Sequence, residues 1–278
     1  MIPFDFDYYK PSTVEEALQI YETISGRNKK VVYYSGGTEF ITFARTQDIY
    51  ADAVIDIKGI PDCHALEHKD DQLIIGSAVT LNIVADSNIF PLLSQKVKGI
   101  ADHTSRNKIT IGGNINSQLI YKEGILPLLI SDSKVKVAGK KEEEILPINN
   151  IFNKNFQLEQ GQLLVQIYIE KSYVDLPFFT LKKTKFSKVG YPVVSLAAIV
   201  KDQRIRAAFS GVCEYPIRSE EIETLLNDSS LSETDKVELA ISKLPSPIIS
   251  DIHASAGYRE FVFRNALLET LGALEVKK

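Results

Sequence analysis

Two glycine pairs are the residues best suited to chemistry in this chain. Gly36 and Gly37 lie in YYSGGTEF, and Gly112 and Gly113 lie in TIGGNINS. Each pair closes a β-rich run and is followed by side chains that can hydrogen-bond. A residue without a Cβ lets several backbone N–H groups approach phosphate oxygens closely, forming an anion-binding nest. Two such turns can grip one diphosphate, which suggests a dinucleotide. Neither pair belongs to a GxGxxG or a GxxxxGK[ST] pattern, so a Rossmann or P-loop phosphate site is not supported.

The elements around the turns must position them. Ser12 and Glu15 have capping-box spacing, and Val14, Ala17, Leu18 and Tyr21 recur at helical intervals, predicting a helix over 13–25 that ends at Gly26. Val31 to Tyr34 form a strand leading into the first glycine pair, and Phe40, Ile41 and Ala44 suit a short helix after it. AVIDI (53–57) and LIIGSAVTL (73–81) read as strands, and helical segments over 81–86 and 91–100 deliver the chain to the second pair. KVKVAGKKEEEILPI (134–148) reads as a hairpin with a charged tip, and LLVQIYIE (163–170) as a further strand. A break around Ser172 to Pro177 marks a domain boundary. Beyond it, FFTLKKTK and PVVSLAAIVKDQRIRAAFSGV, with its DQ turn, predict a small antiparallel sheet. Helices are predicted to follow over 218–227, 233–243 and 251–273, the last capped by Ser250-Asp251.

The bulk properties narrow the class. At 278 residues and 44% hydrophobic content the chain can build two cores. The net charge of −4, with signs interspersed, gives no basic face for nucleic acid. The longest apolar runs, such as VVSLAAIV (193–200), fall short of the roughly 20 residues of a membrane span. The acidic, aromatic start MIPFDFDYYKP does not read as a secretory signal, so a cytoplasmic location is expected. Cys63 and Cys213 are the only cysteines, so a cluster held by four thiolates must belong to another chain. The four histidines are scattered without metal-ligand or triad spacing.

Five ordered blocks carry a resemblance. FDYYKPSTVEEAL, SGGTE, TSRNKITIGGNI, YPVVSLAAIV and SDIHASAGYREFVFRNAL together resemble the FAD-binding subunit of the molybdenum hydroxylases, the family of xanthine dehydrogenase and of the carbon monoxide dehydrogenase medium subunit. The resemblance implies an α+β fold: an FAD-binding domain of two α+β subdomains (PCMH-type) over 1–172, divided at about 57/58, with the flavin between them. A carboxy-terminal domain of sheet and helices would follow over 173–278. It implies noncovalent FAD that collects electrons and reduces NAD+ or another acceptor, with molybdopterin on a large partner subunit and 2Fe-2S clusters on a small one. Ser35, Gly36, Gly37, Thr38 and Glu39 would wrap the diphosphate, Glu39 accepting from cofactor hydroxyls. Thr110, Ile111, Gly112, Gly113, Asn114 and Ser117 match the second loop, with Ile111 packing inward. Lys182 corresponds to a family lysine near the flavin ring, where a cation would stabilise the anionic reduced form.

Two departures stand out. Glu123 takes the place of an aspartate that contacts cofactor hydroxyls, within the altered stretch from Gln118 to Leu126, and Thr184 and Phe186 replace a glycine and an arginine. The alternative reading is therefore an assembly subunit of the same fold that has lost tight FAD binding. A self-sufficient flavin oxidase is disfavoured because neither glycine loop holds a His or Cys that could tether the flavin.

Overall fold

The computed structural model describes residues 2–140, 142–186 and 189–274. Lys141, at the expected hairpin tip, and residues 275–278 of the expected carboxy-terminal domain lie outside them. The chain divides into two compact units. One comprises 1–84, 102–117 and 133–169, and the other 85–101, 118–132 and 170–278. Among the described residues no helix is long and apolar enough to cross a membrane.

The first unit is built on two sheets. In the three-stranded one, Ala53–Asp56 lies between Asp7–Tyr9 and Val31–Tyr34, both parallel to it. The helix Val14–Ser25 packs Val14, Ala17 and Ile24 into the core with Val31, Ala53 and Ile55. Its cap falls one residue later than expected. Thr13, with extended backbone, is the N-cap and accepts from the Glu16 N–H at 3.1 Å, while the Glu16 carboxylate reaches one residue further back and accepts from the Ser12 N–H at 2.7 Å.

The second sheet of this unit has the order Leu66–Lys69, Gln72–Gly76, Leu163–Glu170, Lys134–Ala138, Glu143–Pro147. The expected long strand over 73–81 stops at Gly76. A Cβ there would overlap the Cys63 backbone, and the chain turns to run from Ser77 to Thr80 beside the second glycine pair. Leu66–Lys69 was hidden in the sequence because its side chains are mostly exposed and polar.

The second unit is a four-stranded antiparallel sheet, Phe178–Thr184, Pro192–Lys201, Arg204–Ser210 and Ile217–Arg218, with the helices Glu220–Leu226, Glu233–Ser242 and Ala256–Ala273. Asp202 and Gln203 adopt positive φ of 51° and 58°, the conformation a tight two-residue hairpin requires. The last helix begins later than expected. Ser255 caps it through the Tyr258 N–H, and Asp251 instead accepts from the His253 and Ala254 N–H groups and from Arg259. Arg259 is fully buried, and its Nη1 donates to the carbonyls of Val193 at 2.8 Å and Gly211 at 2.6 Å. An arginine so deep is tolerated because two carbonyls and the Asp251 carboxylate accept from its Nη atoms, while its buried Nε has no partner among the described residues.

Candidate dinucleotide site

The two glycine turns meet in the first unit. Gly36 lies directly on the backbone of Lys108 and Ile109, just before the second turn, so closely that a Cβ on Gly36 would overlap the Lys108 carbonyl. Gly37 follows with φ of 74°, where a Cβ would overlap the hydroxyl end of Tyr34, and serves as N-cap of the helix Thr38–Arg45. That helix start has no side-chain cap. The N–H groups of a first helical turn lack intrahelical acceptors and carry partial positive charge, which suits an anion.

The second turn is engaged differently. The Ile111 N–H donates to the Val79 carbonyl and the Gly112 N–H to Ser77, both at 2.9 Å. The Gly113 N–H donates to the Thr110 hydroxyl at 3.2 Å, and the Asn114 N–H to the Thr110 carbonyl at 2.9 Å. A Cβ on Gly112 would stand 2.6 Å from the Ser77 Cβ. Gly112 thus permits close packing against the segment 77–80, and the short helix Ile111–Ile115 is internally satisfied. What this turn can still offer is the Thr110 O–H as a donor, together with side chains. Ile111 is fully buried, as expected for an inward-facing residue. Ser117 comes back to the first turn, donating its hydroxyl hydrogen to the Glu39 carboxylate.

Residues that the glycine patterns do not flag shape the first turn. The Lys58 ammonium donates to the Ser35 carbonyl at 2.8 Å and to both oxygens of Asp56, at 2.8 and 2.9 Å, while lying 4.6 Å from the Tyr34 ring centroid. Asp56 is only 3% exposed and also accepts from the Tyr8 hydroxyl at 2.5 Å. Burial would raise the Asp56 carboxyl, but the bonds from Lys58 and Tyr8 outweigh it and hold it below the usual carboxylate range. The same bond, with some burial, pushes the Tyr8 phenol up to about 12. No motif marks these residues, because what assembles them is the parallel pairing of Asp7–Tyr9 and Val31–Tyr34 on Ala53–Asp56.

Glu123 and Lys182 belong to the second unit, where they pair with each other at 2.7 Å. Lys182 also donates to the Gly99 carbonyl at 2.8 Å, and the other oxygen of Glu123 accepts from the Ser195 hydroxyl at 2.7 Å. Ser195 in turn accepts from Lys96, whose ammonium also reaches the Leu181 and Leu196 carbonyls. Burial pushes the Lys96 amine down to about 7, against the pull of Glu123.

Two features fit a dinucleotide diphosphate at the first turn. The start of the helix Thr38–Arg45 has no side-chain cap, and the buried Ser35 hydroxyl has no protein partner among the described residues. A buried polar atom left unpaired is costly, and a bound oxyanion would relieve it.

Residues 4–171 match the family described as the FAD binding domain in molybdopterin dehydrogenase. The chain belongs to that family. Within it, the chain is 25% identical over 284 residues to the 6-hydroxypseudooxynicotine dehydrogenase complex subunit alpha of Paenarthrobacter nicotinovorans, covering 98% of this chain and 95% of the relative. The caffeine dehydrogenase subunit beta of Pseudomonas sp. (strain CBB1) is 26% identical over 237 residues, covering 81% and 79%. The fold is similar to that of a chain in carbon monoxide dehydrogenase from Hydrogenophaga pseudoflava, with a TM-score of 0.88 at 20% identity over 99% of this chain and 98% of that one. A chain of quinoline 2-oxidoreductase from Pseudomonas putida 86 gives 0.83 at 19% identity, over 98% and 99%. The two solved chains share this fold, in line with the α+β class that the five sequence blocks imply.

Proposed function

We propose that this chain is the FAD-carrying electron-transfer subunit of a molybdenum hydroxylase complex, of xanthine dehydrogenase type, and that it passes electrons to NAD+ or another soluble acceptor in the cytoplasm. The observation that carries the reading is the seating of Gly36 on the Lys108 backbone, which puts two glycine turns from distant segments side by side. The Ser35 hydroxyl, the amides at the start of the helix Thr38–Arg45 and the Thr110 hydroxyl would hold the diphosphate. Glu39 and Ser117, already paired, would face the cofactor's hydroxyls. Bound there, FAD would accept electrons one at a time and release them in pairs.

Molybdopterin and 2Fe-2S clusters would reside on a large and a small partner subunit. Support comes from the relatives, whose names describe a complex subunit alpha, a subunit beta and a medium chain. Substrate oxidation then belongs to the large partner, and no general acid or base is assigned here.

The test is the purified chain's visible spectrum and flavin content. About one FAD per chain, released on denaturation, supports the reading. A colourless chain that still joins its partners would establish the assembly role instead, and NAD+ reoxidation of the photoreduced complex decides the acceptor.

A further inference from the structure

We infer that Lys58 is a positioning residue for the diphosphate turn, acting through the Ser35 carbonyl to fix the direction of the Gly36 amide. The inference rests on FAD binding at the first turn. A trans peptide is planar, with its C=O and N–H pointing in opposite directions. Lys58 holds the Ser35 C=O at 2.8 Å, so the Gly36 N–H of the same peptide is directed away from the ammonium. Peptides that end in glycine rotate easily, because the missing Cβ makes both orientations accessible. A turn reading SGG therefore needs an external hold if its amides are to converge on an anion.

The hold is well supported. Both Asp56 oxygens receive the ammonium, Asp56 is fixed in turn by the Tyr8 hydroxyl and by the Lys58 N–H, and the Tyr34 ring lies beneath. Asp56 comes from the end of the central strand and Lys58 from the tight helical turn Ile57–Gly59 that follows it, with Tyr8 and Tyr34 from the strand's two parallel neighbours, so the latch is anchored across the sheet. Charge-assisted bonds of this sort are stronger than neutral ones. Asp56 also balances the Lys58 charge, so the pair delivers orientation rather than net attraction for phosphate.

The test is FAD titration of the flavin-stripped full chain, with its thermal unfolding followed in parallel. Lys58→Met is expected to weaken FAD about tenfold, the value of one such bond, and to lower the unfolding temperature of the flavin-free protein because Asp56 loses its counter-charge, so affinities are compared below the variant's unfolding transition. Lys58→Arg, which can still reach both acceptors, should restore most of the affinity. Asp56→Asn supplies the decisive sign and stands on its own if Lys58→Met does not fold. Loosening the latch weakens FAD, whereas removing a negative charge from a directly binding lysine would tighten it. FAD affinity within twofold of wild type in Lys58→Met, or tightening in Asp56→Asn, overturns the inference. A wild-type chain that takes up no FAD overturns both this inference and the functional reading, and the wild-type titration reports that separately.

Discussion

Gly36 rests on the carbonyl of Lys108, 72 positions along the chain, with no room between them for a methyl group. Gly36→Ala must therefore push the two turns apart. The expected outcome is a loss of about 1–3 kcal/mol in stability, the range for inserting a methyl into a packed site, together with weakened FAD binding. Gly257, in the first turn of the helix Ala256–Ala273, has open space where a methyl would stand, with nothing within 4 Å, so Gly257→Ala should be neutral or stabilising by up to about 1 kcal/mol. Urea unfolding of both variants checks the contrast.

Ser35 is expected to separate stability from binding. Its buried hydroxyl has no protein partner among the described residues, so Ser35→Ala removes an unsatisfied group. Stability of the flavin-free chain should hold or rise by about 1 kcal/mol, while FAD binds roughly tenfold more weakly. Equal affinity in the variant would remove Ser35 from the site.

Lys96 gives the fold a pH signature. Its folded value is depressed from 10.5 to about 7 by burial, so between those values the unfolded chain binds a proton that the folded one has released. Stability from this group therefore rises as pH climbs from about 7 toward 10.5 and is lowest below 7. Lys96→Met removes the burden and leaves Glu123 paired with Lys182. Relative to wild type, the variant should gain more at pH 6 than at pH 9 in urea melts. An identical difference at both pH values would contradict this.

Among the described residues, Glu123 is the only carboxylate in the hydrogen-bonded group it forms with Lys182, Ser195 and Lys96. Glu123→Leu would leave buried ammonium groups without a counter-charge, with an expected cost of about 3–5 kcal/mol. Adding Lys182→Met should recover a substantial part of that loss, because the ammonium that pairs directly with Glu123 goes with it. Chemical denaturation of the single and double variants measures the coupling.

The legible parts of this chain were those whose cause is local. The strand Leu163–Glu170 and the turn at Asp202-Gln203 follow from side-chain period and turn chemistry, and they stand where those patterns put them. The helix Val14–Ser25 was likewise readable, but its cap was not. Ser12 and Thr13 are both competent, and backbone conformation chose Thr13. The long strand over 73–81 failed for a tertiary reason: at Gly76 the chain must pass against Cys63, and Ser77–Thr80 bonds to the second glycine turn instead of extending the sheet.

The site divides in the same way. The sequence by itself determined the family, the α+β class and the two glycine turns, because residues lacking a Cβ in those contexts leave a signature that needs no neighbours. Only the tertiary structure decided that the turns are unequal. The amides of 111–114 are spent on Ser77, Val79 and Thr110, whereas the first turn opens at an uncapped helix start. It also decided that Glu123 and Lys182 satisfy each other, and that Lys58, Asp56 and Tyr8 converge behind Ser35. Hydrogen bonds and ion pairs depend on which strands lie side by side, and that pairing joins residues dozens of positions apart whose types carry no mark of one another.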